Sequence, residues 1–291
     1  GGSAASDLPK IIYVEGMIDL CADASDRALG AADFIAQAGY GTTWAGYPAY
    51  REAYIAACSS TGFVSGSQMP AAQAACAARQ KAVIVIPIGS NTSILGAGAD
   101  SGFKNGSLYI KGKTNVVLRN LKILDSYDYF PVWDSTDGSS GMINSAYDAV
   151  HIEGSTRVWI DHCELGDGER PDSTLPWYSI AGVSKEWVVH DGLIDITKGA
   201  DFVTLSWNRI EDHDKTSLIG GSDGDDAADS GKLNVTIHHN YFSKLVQRLP
   251  RVRFGRVHAY NNYYSGISAS GYAVGIGDHA RVYSEANYFE S

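Results

Sequence analysis

A short repeat in the second half of the chain restricts its fold more than any other feature. Four segments alternate apolar and polar residues: VTLSWNRI at 203–210, VTIHHNYF at 235–242, VHAYNNYY at 257–264 and VYSEANYF at 282–289. Each carries asparagine at its sixth position, namely Asn208, Asn240, Asn262 and Asn287. Fainter copies occur as VWIDHCEL at 158–165 and VVLRNLKI at 116–123. The four clear copies start 32, 22 and 25 residues apart. A period near 22 is too short for a helical pair and too long for a hairpin. It suits one coil of a parallel β-helix, with longer spacings absorbed by loops. The recurrent asparagine reads as a turn residue that tolerates left-handed backbone and bonds its equivalent in the next coil. Tyr241, Phe242, Tyr263 and Tyr264, just after it, would stack in the same way. The expected fold is therefore all-β, a parallel β-helix solenoid.

The first half fits this frame less regularly. Ile11 to Leu20 and Val83 to Ile88 read as strands of early coils, and the Ala-rich stretch Tyr47 to Ala82 as a helical excursion. Asp125 to Asn144 and Asp167 to Glu186 are long Gly/Ser/Asp/Pro-rich loops, of a kind that often lines a site. No linker divides the chain, so residues 1–291 are expected to form a single domain. The longest apolar run, Ala82 to Ile88, falls far short of the roughly 18 residues of a membrane span. A start at Gly1 suggests processing or trimming.

Four cysteines show neither CxxC nor zinc-ligand spacing. Cys58 and Cys76 bracket a Gly/Ser/Ala-rich stretch and could pair as a disulfide. Cys163 lies inside a strand-like run and reads as a free core thiol. The net charge of −10 argues against nucleic acid and acidic lipid as partners. Yet residues 244–256 hold Lys244, Arg248, Arg251, Arg253 and Arg256 with no acid among them. A basic strip on an acidic protein points to a local anion site.

Two acids, Asp191 and Asp195, interrupt an otherwise apolar strand, and Asp148 precedes another. Acids at strand edges on adjacent coils can converge on one hard cation, and carboxylates with water describe calcium rather than zinc. On a straight strand Asp191 and Asp195 would share a face but lie about 13 Å apart. A shared ion therefore requires a bend near Gly192. Taken alone, these aspartates also fit turn formers and solvated strand ends. Lys215 and then Arg248 and Arg253 follow on the next coils at about the same phase, as one groove across the coils would require. The arginines equally fit a solvated strand or salt-bridge partners. Alternation in WIDH at 159–162 places His162 with Val158 and Ile160, pointing inward as a satisfied core histidine. His238 and His239 are expected on opposite faces, badly placed to share an ion.

The stretches YDYFP at 127–131, WDSTDG at 133–138, WIDHC at 159–163, DGLID at 191–195, HDK at 213–215 and VQRLPRVRFG at 246–255 together resemble the pectate lyase family, especially its Bacillus type. The resemblance runs from about residue 9 to the end. It implies a right-handed parallel β-helix, with Asp148, Asp191 and Asp195 as Ca²⁺ ligands. It also implies that Lys215 and Arg253 bind substrate and that Arg248 is the general base. The implied activity is calcium-dependent β-elimination in polygalacturonate by a secreted, monomeric enzyme. Retention of all three acids favours pectate over methylated pectin. Asp134 and Asp137 are weaker candidates for extra ions. Relative to the family, the chain looks shortened at both ends.

In this reading, charge withdrawal at the substrate carboxylate acidifies the neighbouring C5 proton. Lys215 stabilises the growing negative charge, and Arg248 takes the proton. A guanidinium accepts that task reluctantly, so an alkaline optimum is expected. The rivals are a pectin lyase, a polygalacturonase using paired acids and a non-catalytic pectin-binding β-helix.

Overall fold

Each coil contributes up to three short strands, and successive coils stack them into three parallel sheets. The computed structural model describes residues 4–290. The first sheet runs from Lys10–Val14 through Thr92–Gly96, Thr114–Arg119, Thr156–Asp161, Asp201–Ser206, Asn234–His238 and Arg256–Tyr260 to Arg281–Glu285. The second has eight strands from Met17–Asp19 to Tyr288–Phe289. The third stacks Val85–Pro87, Ser107–Lys111, Val150–Glu153, Ile194–Thr197, Leu218–Ile219, Arg251–Val252 and Gly275–Ile276. Parallel neighbours joined by crossovers take the right-handed form that strand twist favours, giving a right-handed parallel β-helix.

The repeat seen in sequence is the structural register itself. Val116, Val158, Val203, Val235, Val257 and Val282, the first residues of the six copies, pair in one column of the first sheet. They face inward with Leu118, Ile160, Leu205 and Ile237, which alternation places on the same side. Phe242 and Tyr264 stack 4.8 Å apart inside the coil, and Tyr264 stacks on Phe289 at 4.4 Å.

The asparagines form a buried ladder. Asn208 Nδ2 donates to Asn240 Oδ1 at 2.9 Å, Asn240 to Asn262 at 3.0 Å, and Asn262 to Asn287 at 2.9 Å. Each asparagine side chain also binds the backbone of the preceding coil: Asn240 Oδ1 accepts the Asn208 N–H, and Asn240 Nδ2 donates to the Leu205 carbonyl. The left-handed residue of each turn is the one before the asparagine, or before Cys163 in the fainter copy: His162, Trp207, His239, Asn261 and Ala286. Asn240→Ala would strand several buried polar groups at once, so it should cost about 3 kcal/mol of stability. The denaturant midpoint measures this.

That left-handed step corrects two expectations. His162 does not point inward; the turn breaks the alternation, leaving its side chain 49% exposed and its ring 5.9 Å from that of Trp207. Cys163 takes the inward place instead, as a buried free thiol. Similarly, His238 and His239 are not on opposite faces, because the turn at His239 brings their Nδ1 atoms to 2.9 Å.

The helical excursion is two helices, Tyr47–Ala57 and Met69–Ile84, joined through a small hairpin of Cys58–Ser59 and Gly62–Phe63. The second helix runs into the segment expected as strand, which begins only at Val85. A further helix, Ala31–Gln37, was not apparent from the residue pattern. Cys58 and Cys76 are not bridged: all four cysteines are free and buried. Cys58 ends the first helix with its Sγ on the Tyr54 carbonyl, while Cys76 packs within the second. A second apolar core of Tyr50, Tyr54, Phe130, Trp133 and Trp187 lies under these helices. It pins the two long loops, which fold as hairpins Val132–Asp134 with Met142–Asn144 and Trp177–Ile180 with Val183–Glu186.

Candidate active site

The third sheet positions the site. Ile194 and Ile196 face the core, so alternation turns Asp195 and Thr197 outward. Asp195 pairs in register with His151 of the preceding coil, and three residues before His151 lies Asp148. The bend required near Gly192 takes the form of a β-bulge: the Leu193 and Ile194 N–H groups both donate to the Thr216 carbonyl at 3.1 Å. The bulge re-aims this segment, so the straight-strand separation of the aspartates no longer applies.

Gly192 shows how close the carboxylates come. A Cβ on this residue would lie 2.5 Å from Asp195 Oδ1 and 2.7 Å from Asp148 Oδ1. Its N–H donates to Asp148 Oδ1 at 2.8 Å. The other Asp148 oxygen is bonded to His151 Nδ1. Asp195 Oδ1 accepts the Leu218 N–H at 3.0 Å. Asp191 meets Lys215 Nζ at 3.3 Å. Lys215 is bridged to Gly192 on one side and paired with Gln247 on the other. Arg248 follows Gln247 in a left-handed turn with φ 62°, and its buried Nε has no hydrogen-bond partner among the described residues.

The electrostatics reflect this crowding. Burial raises the pKa of Asp195 well above the carboxylate range, with repulsion from Asp148 and Asp191 adding to it and the Arg248 charge opposing. Burial and Asp148 likewise raise Asp191, against the pull of Lys215 and Arg248. An excess of negative charge on hard oxygen donors fits a Ca²⁺ ion held by Asp148, Asp191 and Asp195. Arg253 stands on the same outer face one coil beyond Leu218–Ile219, where it is engaged by Asp223.

Residue patterning did not disclose the buried layer behind Asp191. His213 Nε2 bonds the Asp191 carbonyl at 2.8 Å and its Nδ1 bonds Asp167. His190 Nε2 bonds Asp125 at 3.0 Å and its Nδ1 bonds Asp172 at 2.8 Å. Arg170 also reaches Asp125, at 2.8 Å. Ligand atoms of Asp167, Asp172 and His190 all lie within 4.8 Å of one another. Both His190 nitrogens are already committed to carboxylates, however, so an ion-paired imidazolium accounts for the cluster without a metal. Only the HDK run at 213–215 hinted at any of this, because its partners come from distant coils.

Burial opposes charge on His190, but Asp125, Asp172 and Asp167 outweigh it and raise its pKa to about 10. A raised folded-state value stabilises fully below the ordinary 6.5 and is lost as pH climbs through about 10. Denaturant stability of the chelated protein should therefore fall between pH 6.5 and 10. His190→Gln should flatten that slope.

Comparison with known proteins agrees with this architecture. A family model described as pectate lyase matches residues 55–291. A pectate lyase of Bacillus subtilis (strain 168) is 42% identical over 99% of this chain and 67% of its own length. Pectate lyase E of Dickeya chrysanthemi is 46% identical over 72% of this chain and 54% of its own. The chain thus spans about two thirds of the first relative and about half of the second. A solved pectate lyase bound to a hexasaccharide superposes with a TM-score of 0.83 at 38% identity, covering 99% of this chain and 70% of that one. The solved structure of a mutant Bacillus subtilis pectate lyase gives a TM-score of 0.87 at 40% identity with the same coverage. With the coil, the outward carboxylates and these relatives all in agreement, the chain belongs to the pectate lyase family.

Proposed function

We propose that this chain cleaves α-1,4-polygalacturonate by calcium-dependent β-elimination, releasing unsaturated oligogalacturonides. The observation that carries the reading is the convergence of Asp148 and Asp195 on the space beside Gly192, with Asp191 held against Lys215. Asp148, Asp191 and Asp195 would hold the Ca²⁺. When bound, the ion would withdraw charge from the substrate carboxylate and acidify the C5 proton. Lys215, whose ammonium lies at the rim of the acid cluster, stabilises the negative charge that grows on that carboxylate. Arg248 accepts the C5 proton. The C–H electron pair becomes the C4–C5 double bond, and the C4–O bond breaks with its electrons on the leaving sugar oxygen. Arg253 anchors a carboxylate or sugar oxygen further along the groove.

A polymer of this size is met outside the cell, which supports export, and one chain supplies every residue of the groove, which supports a monomer. Among the described residues no helix is long and apolar enough to cross a membrane.

The test is the ultraviolet absorbance of products from polygalacturonate, with and without EDTA. Elimination creates a conjugated double bond, so absorbance should rise and EDTA should abolish the rise. New reducing ends without absorbance would instead mean hydrolysis. Chelator-resistant cleavage preferring methylated pectin would mean a pectin lyase, and binding without turnover a pectin-binding protein.

A further inference from the structure

Arg253, assigned above to the substrate, already has an anionic partner in the fold. Its Nε lies 2.5 Å from Asp223 Oδ1. Nη1 contacts the carbonyls of Gly220 and Gly221 at 3.3 and 3.4 Å. The arginine side chain is only 13% exposed, whereas that of Asp223 is 72% exposed. The two partners are therefore unequal: the guanidinium is fixed by the coil, and the acid reaches it from solvent.

Register places this pair on the groove. Val252 pairs with Ile219, and Ile219 with Ile196, all three facing the core. Arg253 thus projects outward one residue beyond that row, on the face where Asp195 projects one residue before it. Asp223 comes from the segment between Gly220 and Leu233, which also carries Asp225, Asp226 and Asp229. Asp225 is tied to Lys198 at 2.6 Å, and Asp229 accepts the Gly199 N–H at 2.6 Å. These anchors leave Asp223 as the acid that meets the groove arginine.

We propose that Asp223 is an internal stand-in for a galacturonate carboxylate, and that substrate must displace it from Arg253 in order to bind. The exchange sets affinity and selectivity. A galacturonate carboxylate replaces one charge-assisted bond with another, while a methyl ester carries no charge with which to compete. Asp223 thus keeps the largely buried guanidinium paired between encounters and lowers affinity for the polyanion in doing so. The inference rests on the lyase reading above and concerns regulation of the same groove.

Asp223→Asn should lower KM for polygalacturonate about three- to tenfold at low salt with kcat unchanged, the scale of a partly exposed ion pair. Asp226→Asn removes the same charge from the same segment, where Asp226 is bonded to Ser230 rather than to Arg253, and should leave KM nearly as it was. In an Arg253→Ala background, Asp223→Asn should have no effect. Equal KM shifts for the two asparagine variants, an Asp223→Asn effect that persists without Arg253, or no shift at all would overturn the proposal. Trigalacturonate binding by calorimetry with the Arg248→Lys variant gives a second readout without turnover. If the unmodified protein neither binds nor cleaves the polymer, the lyase reading itself fails. If it does both and the Asp223→Asn affinity is unchanged, only this inference does.

Discussion

Replacing Arg248 with lysine should reduce turnover of polygalacturonate by roughly 10²- to 10⁴-fold, the range attached to a positioned general base. Calcium affinity should barely change. The guanidinium is delivered by a left-handed turn directly after Gln247, the register partner of Lys215. Its field reaches both Asp191 and Asp195, and its buried Nε is unpartnered among the described residues. Lysine keeps the positive charge beside the acids, which is why the metal site should survive. It replaces a planar fork with a point charge on a differently shaped stem, so the proton-accepting nitrogen is lost. Steady-state kinetics paired with calcium titration calorimetry checks both halves. A variant retaining most of its turnover would remove Arg248 from the role of base.

Gly192→Ala should weaken Ca²⁺ binding about 10- to 100-fold, the effect usual for disturbing what orients metal ligands, with turnover falling in parallel. The added methyl would sit 2.5 and 2.7 Å from the nearest oxygens of Asp195 and Asp148, well inside contact distance. Gly192 is not among the glycines with left-handed backbone, so alanine meets no conformational penalty of that kind. What must move is the pair of carboxylates. Circular dichroism should accordingly remain that of the parent protein while the calcium isotherm shifts to higher concentration. An unshifted isotherm would show that the two acids do not share the space beside Gly192, and the calcium assignment would fall with it. This substitution is more discriminating than Asp195→Asn, which would remove a charge whether or not the acids converge.

The coil was legible in the residues because every turn of a solenoid repeats the same local problem. Val203, Val235, Val257 and Val282 recur in sequence because each must face the same core, and their register in the first sheet follows directly. Asn240, Asn262 and Asn287 recur because each preceding turn offers the same backbone N–H to satisfy. The chain order of Asp148, Asp191, Lys215 and Arg248 also carried over, since consecutive coils convert sequence order into neighbours across the groove.

What the residues did not disclose depends on single departures from that regularity. Alternation assigned His162 to the interior, and one left-handed residue turned it out; the same step brought His238 and His239 together. No pattern marks the bulge after Gly192, the commitment of His190 to three acids, or the reach of Asp223 to Arg253. Sequence by itself determined the stacked coil, because side-chain alternation and the asparagine ladder are local and repeated. Tertiary structure alone decided that His190 meets its acids and that Asp223 meets Arg253, because those pairs lie 18 to 65 positions apart in the chain and each depends on the path of one loop or turn.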